Sequence, residues 1–248
     1  MNKYQAGFVV AVAVTLFMLI GVNQGAQFST GLGHYLPFLI LVLVPVGLGV
    51  MLFVIYKRRK DLEQLALSLN RIFEPDAASL PDLENSGLEL FIQGRSRKCA
   101  NLIISSGAGA EKVYFFDYSY VTGSGKARRT HHFTPACFEF SQPLFPRFEL
   151  RPEGFLDKLG EMVGFADIDV PGSPEFSRQY KLTGENKDAI LAFFSPRAIA
   201  FLEEHPGWRA QASGGRIVIF GRECFIPADY YLAYMQECLD LAAALAGK

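Results

Sequence analysis

The chain has 248 residues, half of them hydrophobic, and its 24 Lys and Arg against 25 Asp and Glu leave a net charge of −1. That balance supplies no overall basic field, which excludes the electrostatics of a general nucleic-acid binder. A mean hydropathy of +0.18 is high for a wholly soluble protein, and the excess is gathered at one end.

Between Lys3 and Lys57 there is no Asp, Glu, Lys or Arg over 53 residues. One helix of that length would run about 80 Å, against a hydrocarbon core of about 30 Å, so it must be broken. Residues 4–22 (YQAGFVVAVAVTLFMLIGV) and 36–56 (LPFLILVLVPVGLGVMLFVIY) each have the length of a span, and the glycine-rich NQGAQFSTGLGH between them reads as a turn at a membrane surface. Tyr4, Tyr35 and Tyr56 fall where interfacial aromatics sit. The expectation is a transmembrane helical hairpin over residues 1–56. Lys57-Arg58-Arg59-Lys60 follows the second span, Lys3 precedes the first, and the connection carries no positive charge. The positive-inside rule therefore puts both termini in the cytoplasm, in a multi-pass protein of the cell membrane. A cleaved signal peptide is the rival for the first span, but its apolar run is long and no small-x-small cleavage site follows.

Residues 57–73 (KRRKDLEQLALSLNRIF) continue helically, with Leu62, Leu65, Leu69 and Ile72 on one stripe. Residues 74–86 (EPDAASLPDLENS) carry two prolines and four acids, so 57–86 reads as a helical stalk and linker. From residue 87 to 248 the pattern is α+β. Residues 100–105, 112–122, 127–140 and 147–151 are strand-like, and Pro152 can open a helix at PEGFLDKLGEMV. Residues 167–170 and 179–183 read as short strands flanking a turn, PGSPEFS. Residues 186–204 read as helix, interrupted at Ser195-Pro196. A hairpin follows over 208–220, and 227–245 is an amphipathic helix packing through Leu232, Met235, Leu239 and Ala242. The fold expected is two N-terminal transmembrane helices and then a mainly antiparallel, bent β-sheet with inserted helices and a C-terminal helix.

Candidate sites are few. Gly123-Ser124-Gly125-Lys126 suggests a phosphate loop, but the first glycine position of that motif holds Tyr120, the hydroxyl position holds Ala127, and a strand follows instead of a helix. It reads as a β-hairpin turn, and no cofactor is expected. His131 and His132 are neighbours on a strand, so they face opposite ways and cannot share a metal. Cys99, Cys137, Cys224 and Cys238 are scattered without a CxxC, which gives neither a disulfide frame nor a zinc site. Asp117 interrupts a run of strand aromatics on the face of Val113, Phe115 and Val121, and needs a partner there. Arg129 is the partner expected, in a structural ion pair. Asp167 and Asp169 share a strand face and, with Asp117, form the one carboxylate set that acid–base chemistry could use. Lys126, Arg128 and Arg129 make a basic hairpin tip beside Tyr118 and Tyr120, suited to a surface contact with anionic headgroups.

FDYSYVTGSGKARRT, FPRFELRPEGFLDKLG and DIDVPGSPEFSRQYKLTGE, in that order, resemble a family of uncharacterised bacterial membrane-associated proteins over roughly residues 90 to 225. The resemblance implies a bacterial source and one α+β module behind an N-terminal membrane segment, and implies no activity and no residue roles. The strand-rich body with a closing helix is also similar, at the level of fold, to pleckstrin-homology-like domains, from which the inserted helices depart. The functional expectation is a cytoplasmic binding or scaffold module tethered to the inner membrane, with a protein or anionic lipid partner. The alternatives are a membrane-associated enzyme using Asp117, Asp167 and Asp169, and an accessory subunit of a membrane complex. Gly47, Gly49 and the Gly21–Gly25 spacing would let the spans pack closely against other helices, including those of a second copy.

Overall fold

The computed structural model describes residues 36–142, 145–153 and 167–247. The chain divides into two units, Met1–Asp61 and Leu62–Lys248. The first contributes most of α1 (Leu36–Ser68), a helix of 33 residues. From Val42 to Tyr56 it is apolar on all sides, and its large side chains stand exposed, Val44 and Phe53 at 63%. Within Leu41–Ser68 the apolar 18-residue window has a mean hydropathy of 1.8 and none of it is buried, so by length and composition this helix can cross a membrane. The other expected span (4–22), its loop and Lys3 lie outside the described residues.

In the second unit, Leu62 and Ala66 are fully buried, and Leu65 and Leu69 pack on the same core. That is the stripe predicted by the spacing, except for Ile72. The helix stops at Ser68 because Asn70 turns left-handed (φ 52°), so that Arg71 N–H reaches the Ala66 carbonyl at 2.8 Å and Asn70 N–H the Leu67 carbonyl at 3.1 Å. Ile72 then opens a short strand, β1 (Ile72–Glu74), and is 61% exposed.

The remaining elements are α2 (Glu89–Ile92), β2 (Arg95–Gly107), β3 (Ala110–Thr122), β4 (Arg129–Phe133), β5 (Ala136–Glu139), β6 (Phe145–Pro152), α3 (Pro174–Gln179), β7 (Tyr180–Gly184), α4 (Lys187–Phe193), α5 (Pro196–Glu204), β8 (Arg209–Gly214), β9 (Arg216–Phe220) and α6 (Ala228–Leu245). Among the described residues all strands join one nine-stranded sheet in the order β1-β2-β3-β5-β9-β8-β6-β7, with β4 beside β3. Every pairing is antiparallel. The α+β class with an antiparallel sheet holds, built as a single sheet.

Alternation sorts the strand residues between two cores. Val113, Phe115, Ala136, Phe138, Ile217 and Ile219 face the larger core, which α6, α5 and the end of α1 cover. Tyr114, Phe116, Tyr118, Cys137, Val218 and Phe220 face the smaller one. Ala77, Leu83, Leu88, Leu90 and Phe91 cover that second face, with Leu80 packed against them. The segment read as a linker is therefore a lid on the sheet, and the compact body begins at Leu62, well before residue 87.

Other boundaries shift for local reasons. Residues 127–140 split into β4 and β5 at Thr134-Pro135. PGSPEFS contributes a turn and then α3, opened by Pro174 in its first turn. Residues 167–170 make only an isolated bridge, Asp167 with Thr183. Asn186 caps α4 by accepting from Ala189 N–H at 3.1 Å, and Ser195 caps α5 by accepting from Ala198 N–H at 3.2 Å. On α6, Tyr231, Tyr234, Cys238 and Leu241 are buried with Met235 and Ala242, whereas Leu232 is 52% exposed. The packing stripe is thus rotated toward the tyrosines. Most of the helix expected after Pro152 lies outside the described residues.

Candidate functional site

The Gly123–Lys126 string lies in the turn between β3 and β4. Gly123 has φ +64°, and a Cβ there would stand 2.2 Å from the Ala127 carbonyl oxygen, so only glycine fits. One 3-10 turn, Gly125–Ala127, closes the loop before β4. No helix N-terminus follows to hold a phosphate.

Behind this tip lies a pinned network. Antiparallel register sets Tyr120 opposite His131 and Thr122 opposite Arg129. The His131 ring is buried at 2% exposure and stacks on Tyr120 at 4.8 Å. Its Nε2 is 2.8 Å from Thr122 Oγ1. Its Nδ1 is 3.0 Å from Glu223 Oε1, but off the line of a hydrogen bond. Arg129 donates to both Glu223 oxygens at 3.1 and 3.0 Å. Hydroxyl, imidazole and carboxylate stand in the order of a hydrolase relay. The misaligned Nδ1 and the Arg129 guanidinium on both Glu223 oxygens make it a clamp on the hairpin, since in a relay that carboxylate orients the imidazole. The strand-face prediction for the two histidines holds, for His132 is exposed and meets Phe225 at 4.8 Å.

Asp117 is 4% exposed. Asn101 Nδ2 donates to its Oδ2 at 2.8 Å, and the Thr134 hydroxyl lies 3.4 Å from Oδ1. Asn101 sits at a register shift in β2, in the left-handed region at φ 53°, where asparagine is tolerated. The bulge is what aims its amide at the carboxylate. The expected pair with Arg129 is not formed, because the register places Arg129 opposite Thr122, five residues along β3, where Glu223 takes it. Asp167 and Asp169 are exposed and alternate with buried Ile168 and Val170. Asp167 bridges to β7, five strands from the β3 of Asp117 in sheet order. One carboxylate is buried and two are solvated, so the three do not converge. Among the described residues, no group of three His, Cys, Asp or Glu could hold a metal ion.

An open cavity of about 590 Å³ lies between β6 and α4, against Phe145, Arg147, Glu185 and Phe193. Arg147 there is shared between Glu185 at 3.1 Å and Glu89 at 3.2 Å. None of the residues singled out in the sequence lines it.

Two corrections concern the basic tip. Tyr118 and Tyr120 are buried beneath it, at 2% and 1%, and take no part in its surface. Sequence reading missed two arginines here, one in contact with the turn and one the chain neighbour of the residue that holds Arg129. Arg95 begins β2 opposite Val121 and donates to the Gly123 carbonyl at 2.6 Å. Arg222 is exposed next to Glu223, the residue that holds Arg129. Sequence separations of 28 and 94 for those two contacts left no local signal.

A solved structure shares this fold. The mycobacterial trehalose monomycolate transport factor A, TtfA, aligns with a TM-score of 0.54 at 15% identity, over 78% of this chain and 93% of its own. No family model matches the sequence, and no curated protein does. At that identity the likeness is one of fold.

Proposed function

We propose that this protein is a membrane-tethered accessory or binding module, acting through its α+β body and not through bond-making chemistry. The observation that carries the proposal is the helix Leu41–Ser68. From Val42 to Tyr56 it is apolar on all sides, and none of its apolar window is buried, in a chain whose body already fills two cores of its own. Leaving such a surface in water would be costly at roughly 25 cal/mol per Å², so a bilayer or other helices must cover it. The likeness to a protein named as a transport factor supports a role beside membrane machinery, through fold alone. The carboxylates that an enzyme would need do not meet, which favours binding over catalysis.

The finer reading is a bacterial inner-membrane protein with two spans and both termini in the cytoplasm, resting on the charge-free stretch before Lys57 and the basic run 57–60. A reporter active only in the cytoplasm, fused after Lys248, should be active. One active only outside should work when inserted at Gly25. Reversed activities would overturn the topology, and release of the intact protein from membranes by alkaline carbonate would overturn the tether itself.

A further inference from the structure

Topology brings four cations to one end of the sheet, Arg95 from β2, Lys126 and Arg128 from the turn and Arg129 from β4, and a fifth, Arg222 in the loop after β9, neighbours the Glu223 that holds Arg129. All five are exposed. Among the described residues, the one carboxylate paired with any of them is Glu223, held by Arg129. The whole chain carries a net charge of −1, so this concentration is local. The cluster is also held in shape. Gly123 has no freedom to change residue, Arg95 ties β2 to the Gly123 carbonyl, and the buried His131 and Thr122 pin β4 to β3. A flexible basic tail would lose conformational entropy on docking, whereas this tip is already ordered.

We propose that this tip docks on the anionic headgroups of a bilayer. The proposal rests on the tethered reading above. A chain anchored by Leu41–Ser68 holds its body at high effective concentration beside lipid, so modest attraction suffices. Near an anionic surface each Lys or Arg contributes about 1 kcal/mol, roughly a fivefold change in occupancy, and the effect fades within a Debye length of about 8 Å at physiological salt. An acidic protein would need a complementary fixed shape. The five cations come from four separate segments around an exposed turn, which suits a diffuse layer of phosphates better.

The test uses the full chain in nanodiscs of phosphatidylcholine and of phosphatidylcholine with about a third phosphatidylglycerol, followed by amide hydrogen exchange. Residues 122–129 should exchange at least ~fivefold more slowly in the anionic discs, the worth of one contacting cation. The difference should vanish in 0.5 M salt, and in a Lys126→Gln, Arg128→Gln, Arg222→Gln variant whose exchange elsewhere is unchanged. Equal exchange in both discs would overturn the proposal while leaving the tether intact, since the protein would still have been reconstituted. Failure to enter either disc would instead overturn the tether on which the proposal rests. Protection by 10 mM inorganic phosphate in neutral discs would overturn lipid docking in favour of a free-anion site. Protection that survives the triple variant would overturn the assignment of these cations.

Discussion

Tyr118 and Tyr120 lie on one face of the same strand, and their hydroxyls are differently placed. Tyr120 Oη donates to Gln93 Oε1 at 3.1 Å, while the buried Tyr118 hydroxyl has no partner among the described residues. Removing an unmatched buried hydroxyl relieves a desolvation cost, and removing a matched one strands its partner. Tyr118→Phe should therefore leave stability unchanged or raise it, and Tyr120→Phe should cost about 1 kcal/mol, read by urea unfolding. A similar comparison isolates the bulge at Asn101. Both Asn101→Ala and Asn101→Gly lose the bond to Asp117, but only glycine accepts φ 53° without strain. The alanine variant should be the less stable by about 1 kcal/mol. That Asp117 would be buried and partnered was legible, since a carboxylate among strand aromatics has no other stable state. Its partner was not legible, because it depends on a register shift that no pattern announces. Cysteine burial makes a pH prediction. Burial pushes the Cys99 thiol up to about 11, with the Glu84 charge adding to it, and burial pushes Cys137 up to about 12. These thiols stay protonated in the fold after their unfolded counterparts ionise near 9, so the native state binds more protons there. Stability should fall as pH rises from about 9 toward 11 to 12, and at pH 8 a thiol-alkylating reagent should label exposed Cys224 well ahead of Cys99, Cys137 and Cys238.

The hairpin shows at the scale of an element what a motif can and cannot disclose. Strand-like residues on both sides of Gly123 identified the turn, and the missing hydroxyl and helix argued against a phosphate loop. What no local pattern disclosed was the part played by residues distant in sequence. Glu223 anchors β4, and Arg95 ties down the turn. Gly123→Ala should distort the tip, because its Cβ would meet backbone at 2.2 Å, whereas at Gly125 a Cβ meets nothing within 4 Å and only φ +53° opposes it. Gly123→Ala should be the more destabilising of the two by roughly 1–3 kcal/mol, with β4 amides losing exchange protection first. The rotated face of α6 teaches a related lesson. Leu232 and Leu239 offered one stripe and Tyr231, Tyr234 and Cys238 another, and hydropathy alone favoured the leucines. Tyr234 favours the tyrosine stripe because its polar tip finds a partner at the sheet. Tyr234 Oη bonds to the Thr134 carbonyl, while its ring stacks on Trp208 at 5.5 Å.

For the whole molecule, the question is where the folding unit begins. Composition placed that boundary at residue 87, because two prolines and four acids read as a linker. Spacing of isolated apolar residues was the signal that composition overrode. Ala77, Leu80 and Leu83 stand among charges yet close the second core, and Leu62 and Ala66 enter the first at 0% exposure. A chain starting at 87 loses the end of α1, β1 and much of the lid over Tyr114, Phe116 and Tyr118. Losing Leu62 alone removes about 2–5 kcal/mol, and a domain has only about 5–15 kcal/mol in total. A fragment of residues 57–248 should therefore unfold in one cooperative urea transition. A fragment of 87–248 should show no cooperative transition, and Leu62→Ala in the longer one should lower the midpoint without changing the slope. A cooperative transition in the shorter fragment, at the midpoint of the longer, would mean that the end of α1 rests on the body without supporting it. The stable unit would then begin at the sheet, and residues 57–86 would be a stalk after all.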